Sequence, residues 1–195
     1  MAPVISYLAS GRDILIKSAH LAAWSREMNI IPEHIEARGM TFLKHYGTFE
    51  LCEILNFEPE HPGLGCALQY FSKKEGKATI YVYNKGLGEI PNGPVSEIAK
   101  LELVLAGRDI VNKHSSPGCS AEVVKAYGIG SPTNKYDFSC AEFLIRNETK
   151  SYLSILFITA SNNNFVKVRV TPTDSAYAVD TAMNFIANVA PSLCE

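Results

Sequence analysis

Residues 151–171, SYLSILFITASNNNFVKVRVT, constrain the fold of this chain more than any other stretch. In its second half Val166, Val168 and Val170 alternate with Lys167 and Arg169, the period-two pattern of a strand with one dry face and one polar face. The first half differs. Leu153, Ile155 and Phe157 fall on one side while Tyr152, Leu156 and Ile158 fall on the other, so both faces demand cover. A strand of that kind belongs in the middle of a sheet, with material packed above and below it. Between the halves, Ser161-Asn162-Asn163-Asn164 supplies residues that accept a left-handed backbone at little cost. The stretch reads as a hairpin.

A second hairpin comes earlier in the chain. The β-rich runs 66–71 and 78–83 flank Ser72-Lys73-Lys74-Glu75-Gly76-Lys77. In its outgoing strand Ala78, Ile80 and Val82 share one face and Thr79, Tyr81 and Tyr83 the other, which places the tyrosines under a helix or along a groove. Gly86, Gly88, Pro91, Gly93 and Pro94 then lead to a helix with Ser96 as N-cap and Glu97 in its first turn. Ile98, Leu101, Val104 and Leu105 form its expected apolar stripe, and it either runs past Gly107 to Val111 or breaks there. Residues 121–127 read as a helical turn or an edge strand, and 138–145 as a strand feeding the hairpin at 151–171. After Pro172, Thr173 or Asp174 caps a last helix whose stripe is Val179, Ala182, Met183, Ile186 and Val189.

Residues 48–57 read as a strand, residues 11–28 as a helix, and residues 32–38 as a second helix ended by Gly39. The expected fold is α+β, a central antiparallel sheet of two hairpin or meander units with helices packed on it. Residues 1–47 form a helical extension and 48–195 a single α+β domain.

Composition narrows the function classes. A chain of 195 residues, 47% hydrophobic and 19% charged, builds one sizeable core. The net charge is −2 and no block of five like charges occurs, which argues against a nucleic-acid partner. No run is long and apolar enough to span a bilayer, and Arg12, Asp13 and Lys17 interrupt any secretory segment. Five cysteines without a CxxC pair read as reduced thiols, and so point to a cytoplasmic location.

Catalytic motifs are missing from the sequence. There is no HExxH, no phosphate loop, no GxSxG elbow and no GxGxxG. The five histidines are isolated, and neither a metal nor a cofactor is expected. Cys119, after Pro117-Gly118 and ahead of a possible helix start, is the best reactive thiol, because helix N-termini lower thiol pKa. No residue is assigned a catalytic role.

The candidate binding residues are Tyr81, Tyr83, Lys167 and Arg169, which offer stacking and anion contacts if their strands adjoin. The competing reading is a solvated strand face that guards a sheet edge. The function expected is that of a non-enzymatic binding or assembly domain for a partner protein or small ligand. The alternative is a small hydrolase or thiol-dependent enzyme with dispersed active-site residues.

The segments GLGCALQYFSKKEGKATIYVYNKG and SYLSILFITASNNNFVKVRVT resemble the paired sheet motifs of bacterial α+β proteins with PsbP-like folds. The resemblance spans residues 62–171 and rests on strand and turn positions. It implies a central antiparallel sheet covered by helices and a role in binding or assembly more often than in catalysis, with no catalytic residue to carry across.

Overall fold

The computed structural model describes residues 31–130 and 137–193, together with the backbone of Ser6–Tyr7 and Asp13–Leu15. Its strands are β1 Ser6–Tyr7, β2 Asp13–Leu15, β3 His34–Ala37, β4 Met40–Leu43, β5 His45–Tyr46, β6 Phe49–Asn56, β7 Cys66–Ser72 and β8 Gly76–Tyr83. After helix α1, Glu97–Lys113, come β9 Ser120–Ile129, β10 Phe138–Arg146, β11 Ser151–Ser161 and β12 Asn164–Pro172. Helix α2, Ala178–Val189, follows a short 3-10 turn at Ser175–Tyr177.

The expected hairpin is β11–β12, closed by Asn162 and Asn163 with φ of 49° and 59°. Two successive left-handed residues make the turn whose twist matches that of the strands it joins. The turn is also anchored: Asn162 Nδ2 donates to the Gly39 carbonyl at 2.8 Å, and Asn163 Oδ1 accepts from the Ile90 N–H at 2.6 Å.

An eight-stranded antiparallel sheet runs in the order β5-β6-β7-β8-β12-β11-β10-β9. It consists of two four-stranded meanders, each followed by a helix, whose final strands β8 and β12 lie side by side. Val168 pairs with Ile80, and Lys167 with Tyr81. The α+β class and the antiparallel sheet are therefore present, with two full meanders in place of a hairpin and a meander. A second sheet, β1-β2-β3-β4, contains one parallel pairing, β2 with β3.

The sheet has two differently covered faces. On the first, Ile80, Val82, Ile155, Phe157, Val166, Val168 and Val170 are buried against Ala182, Phe185, Ile186 and Val189 of α2. Phe185 stands edge-on to Phe49 and Tyr70, with ring centroids 4.8 and 5.7 Å away. On the second face, Ala106 and Ile110 of α1 pack on Phe143, Ile145, Leu156 and Ile158. This two-sided burial of β11 is what its sequence demanded.

Several expectations are corrected. The helix expected at 32–38 is a hairpin: Ile35 and Ala37 in β3 and Met40 and Phe42 in β4 are the buried positions, a period of two. Arg38 and Gly39 turn it with φ of 52° and 77°. The left-handed glycine read as a helix cap serves a hairpin turn equally well. Of the helix expected at 11–28, Asp13–Leu15 is strand and the remainder lies outside the described residues. Side chains of β3 and β4 join those of β6 to β8 in one core.

Helix α1 begins at Ser96, whose Oγ accepts from the Ala99 N–H, and it runs through Gly107 to Lys113. Its stripe differs from the one expected. Leu101 and Val104 are 54% and 57% exposed, and the buried positions are Ala99, Glu102, Ala106, Gly107 and Ile110. Small residues let this helix sit close to the sheet; a Cβ on Gly107 would lie 3.3 Å from Phe143 Cζ. Residues 121–127 belong to the edge strand β9. The caps and stripe of α2 follow the expectation in part: Asp174 caps the preceding 3-10 turn, and Phe185 is buried beside Ala182, Ile186 and Val189.

Candidate ligand cleft

The side chains of Tyr81, Tyr83, Lys167 and Arg169 come together because β8 and β12 are neighbours in the sheet. Their alternating residues point to the second face, where α1 covers only part of the surface. Lys167 Nζ lies 4.4 Å from the centre of the Tyr81 ring and 5.3 Å from that of Tyr83. Both distances suit a cation held over aromatic faces. Burial lowers the Lys167 pKa from its usual value, opposed by the negative charges of Glu102 and Asp109 on α1.

The two tyrosines differ in role. Tyr83 is buried, and its hydroxyl donates to Glu102 Oε1 at 2.5 Å. Burial first, then the Glu102 charge, pushes its pKa far above the ordinary tyrosine value. Glu102, only 4% exposed, also accepts from Lys85 Nζ through Oε2. Tyr83 is therefore part of the seam between helix and sheet. Tyr81 remains half-exposed and lines a groove.

Arg169 is the pivot of the open surface. Its Nε donates to Ser154 Oγ at 2.9 Å, and Ser154 Oγ lies 2.9 Å from Thr171 Oγ1. Among the described residues no carboxylate lies within ion-pair distance of the guanidinium, although burial disfavours its charge. Arg169 and Tyr81 both line two cavities. The smaller, about 140 Å³, lies under the C-terminal half of α1 between Asp109, Lys113 and Lys167. The larger, about 670 Å³, opens past the end of the helix, where Lys77 and Lys150 join Arg169. Among the described residues its lining contains three cations and no carboxylate, with the rings of Phe71, Tyr81 and Tyr152 among its walls. Phe71 is 47% exposed there.

The structure thus brings Tyr81, Lys167 and Arg169 to one surface and withdraws Tyr83 from it. The competing reading of a solvated face guarding an edge is overturned, because β12 is a central strand and both cations are largely covered. Lys77, Lys150, Tyr152, Glu102, Lys85 and Asp109 were not singled out from the sequence. Of these, Glu102 alone left a local sign: a carboxylate three residues after Ala99 and four before Ala106, on a small-residue face.

Cys119 is also corrected. It precedes strand β9 and sits in a turn bridged to Ser116, with no helix N-terminus behind it. Burial pushes the Cys66 and Cys140 thiols up to about 11, which keeps them protonated near neutral pH. Neither a comparison with models of protein families nor a search of curated proteins finds a match to this chain.

Proposed function

We propose that this chain is a binding module that takes a small anionic ligand, bearing a phosphate or carboxylate, in the cleft beside Arg169. The carrying observation is that Arg169, largely withdrawn from solvent and without a carboxylate partner among the described residues, forms a wall shared by two cavities. A guanidinium fork in that position offers two parallel donors to an oxyanion. Lys77 and Lys150 add charge, and the rings of Phe71, Tyr81 and Tyr152 suit a flat apolar group on the same ligand. The PsbP-like resemblance favours binding over catalysis by analogy. The thiol-dependent alternative draws little support from Cys66 and Cys140, which burial holds in their protonated form, or from Cys119, which lies ahead of a strand instead of at a helix N-terminus.

Titration calorimetry with phenyl phosphate tests this reading. Binding to the wild type and a loss of roughly tenfold or more in Arg169→Met are expected, the size of one charge-assisted hydrogen bond. Higher salt should weaken binding further. Absence of binding at millimolar phenyl phosphate, or equal binding by Arg169→Met, would overturn the proposal.

A further inference from the structure

The two ends of the large sheet are finished differently. At one end β5 is two residues long, a blunted edge. At the other, β9 is ten residues long, and among the described residues nothing pairs with its outer side. Val123 and Val124 on this strand are 53% and 47% exposed.

The alternation of β9 carries one irregularity. Against β10, Val123 pairs with Phe143 and Lys125 with Glu142, so Val124 is an extra residue in the ladder. The bulge changes which residues share a face. Glu122, opposite Leu144, and Lys125, opposite Glu142, come to the same side of the sheet although they are three positions apart. Without the extra residue they would point to opposite sides. Arg146 holds the Glu122 carboxylate at 2.7 Å, and Lys125 Nζ lies 4.7 Å from the centre of the Tyr127 ring.

We propose that β9 pairs antiparallel with β9 of a second copy, about a two-fold axis that sets Val123 of each chain opposite Val124 of the other. In this register Glu122 of each copy faces Lys125 of the other on one side of the sheet. The four valines meet on the other side, and Ala121 falls opposite Ala126. The strand is complementary to itself in charge and in side-chain face, as an isologous interface requires. Backbone hydrogen bonds and valine burial supply the attachment, and the two crossed ion pairs select the register. A bulge and a lysine also serve to keep a solitary edge unpaired. The two roles predict opposite results.

Sedimentation velocity on the full chain separates them. The wild type should form a dimer, and Glu122→Lys and Lys125→Glu should each weaken it by about tenfold or more, since each sets like charges opposite each other twice. The double variant Glu122→Lys with Lys125→Glu restores the pairs and should restore the dimer. An equimolar mixture of the two single variants should form a heterodimer, because one strand then carries two lysines and the other two glutamates. Circular dichroism of each variant confirms that the fold is retained. A monomeric wild type at the highest attainable concentration would overturn the proposal, as would a dimer indifferent to these exchanges.

Discussion

The two faces of strand β12 solve the same problem in opposite ways. On the first, Val166, Val168 and Val170 meet the apolar side of α2, and burial is complete. On the second, Lys167 stands near Glu102 and Asp109 of α1, whose buried side is Ala99, Glu102, Ala106, Gly107 and Ile110, and Arg169 stands at the wall of the cleft. The first arrangement packs valine against the helix and leaves no charged side chain of the strand on that face. The second brings positive charge out of water and balances it incompletely: Glu102 answers Lys85 and stands near Lys167, while Arg169 faces two cavities. One strand therefore carries both the centre of the core and the base of the cleft. The cleft lies where the covering helix ends, and a charged side chain is left there with capacity for a further acceptor.

Substitutions on the two faces should separate these roles, and the largest effect belongs to the first. Val168→Asp places a carboxylate with no partner in the middle of the sheet, opposite Ile80 and Phe157. A loss of about 4 kcal/mol or more is expected, which unfolds a domain of ordinary stability. A wild-type urea transition in this variant would refute the account of the first face.

Glu102→Ala should come next. It removes the acceptor of the Tyr83 hydroxyl and of Lys85 Nζ, and leaves both donors at the helix seam. A loss of about 1–3 kcal/mol is expected, chiefly from the buried Tyr83 hydroxyl, because the Lys85 ammonium is 38% exposed and regains water. Glu102→Gln keeps an acceptor for Tyr83 and should recover part of that loss. Equal urea midpoints for the two variants would show that the carboxylate, rather than the hydrogen bonds, holds the helix.

These residues also show what local pattern reveals. The alternation of 166–170 and 78–83 assigned faces correctly, because a strand's faces are set by parity alone. The same rule put Tyr81 and Tyr83 on one side, yet it carried no information on where α1 stops, which decides that one ring is sealed and the other open. Hydropathy misjudged α1, since Leu101 and Val104 outrank Ala99 and Ala106 on any scale while small side chains win where a helix must approach a sheet closely. It misjudged residues 32–38 because a glycine with positive φ ends helices and turns hairpins alike. Lys77, Lys150 and Arg169 come from three separate elements and converge only through the pairing of β8 with β12 and β12 with β11. No spacing in the sequence joins them.

Lys167→Met should have the smallest effect at neutral pH, and it tests the second face by slope instead of magnitude. The lysine's burial opposes folding, whereas its contacts with the Tyr81 and Tyr83 rings favour it by about 0.5–1 kcal/mol each, so a net change within about 1 kcal/mol is expected at pH 7. The pH dependence is more telling. With its folded pKa below the unfolded value, Lys167 sheds its proton first in the folded state, so the unfolded state binds more protons between the two values. Stability from this group therefore rises with pH through that window and levels off above 10.5. The buried Tyr83 has the opposite sign: its folded pKa is raised, so stability falls as pH climbs past 10, where the unfolded phenol ionises. The buried Cys66 and Cys140 thiols likewise pull stability down past pH 9, so the rise is read as the wild-type curve minus that of Lys167→Met, a difference that should climb through the window and then level off. Denaturant midpoints measured from neutral to alkaline pH give both curves directly. If Lys167→Met loses as much stability at pH 7 as Glu102→Ala, the two charges form one indispensable pair and the picture of an incompletely balanced face is wrong.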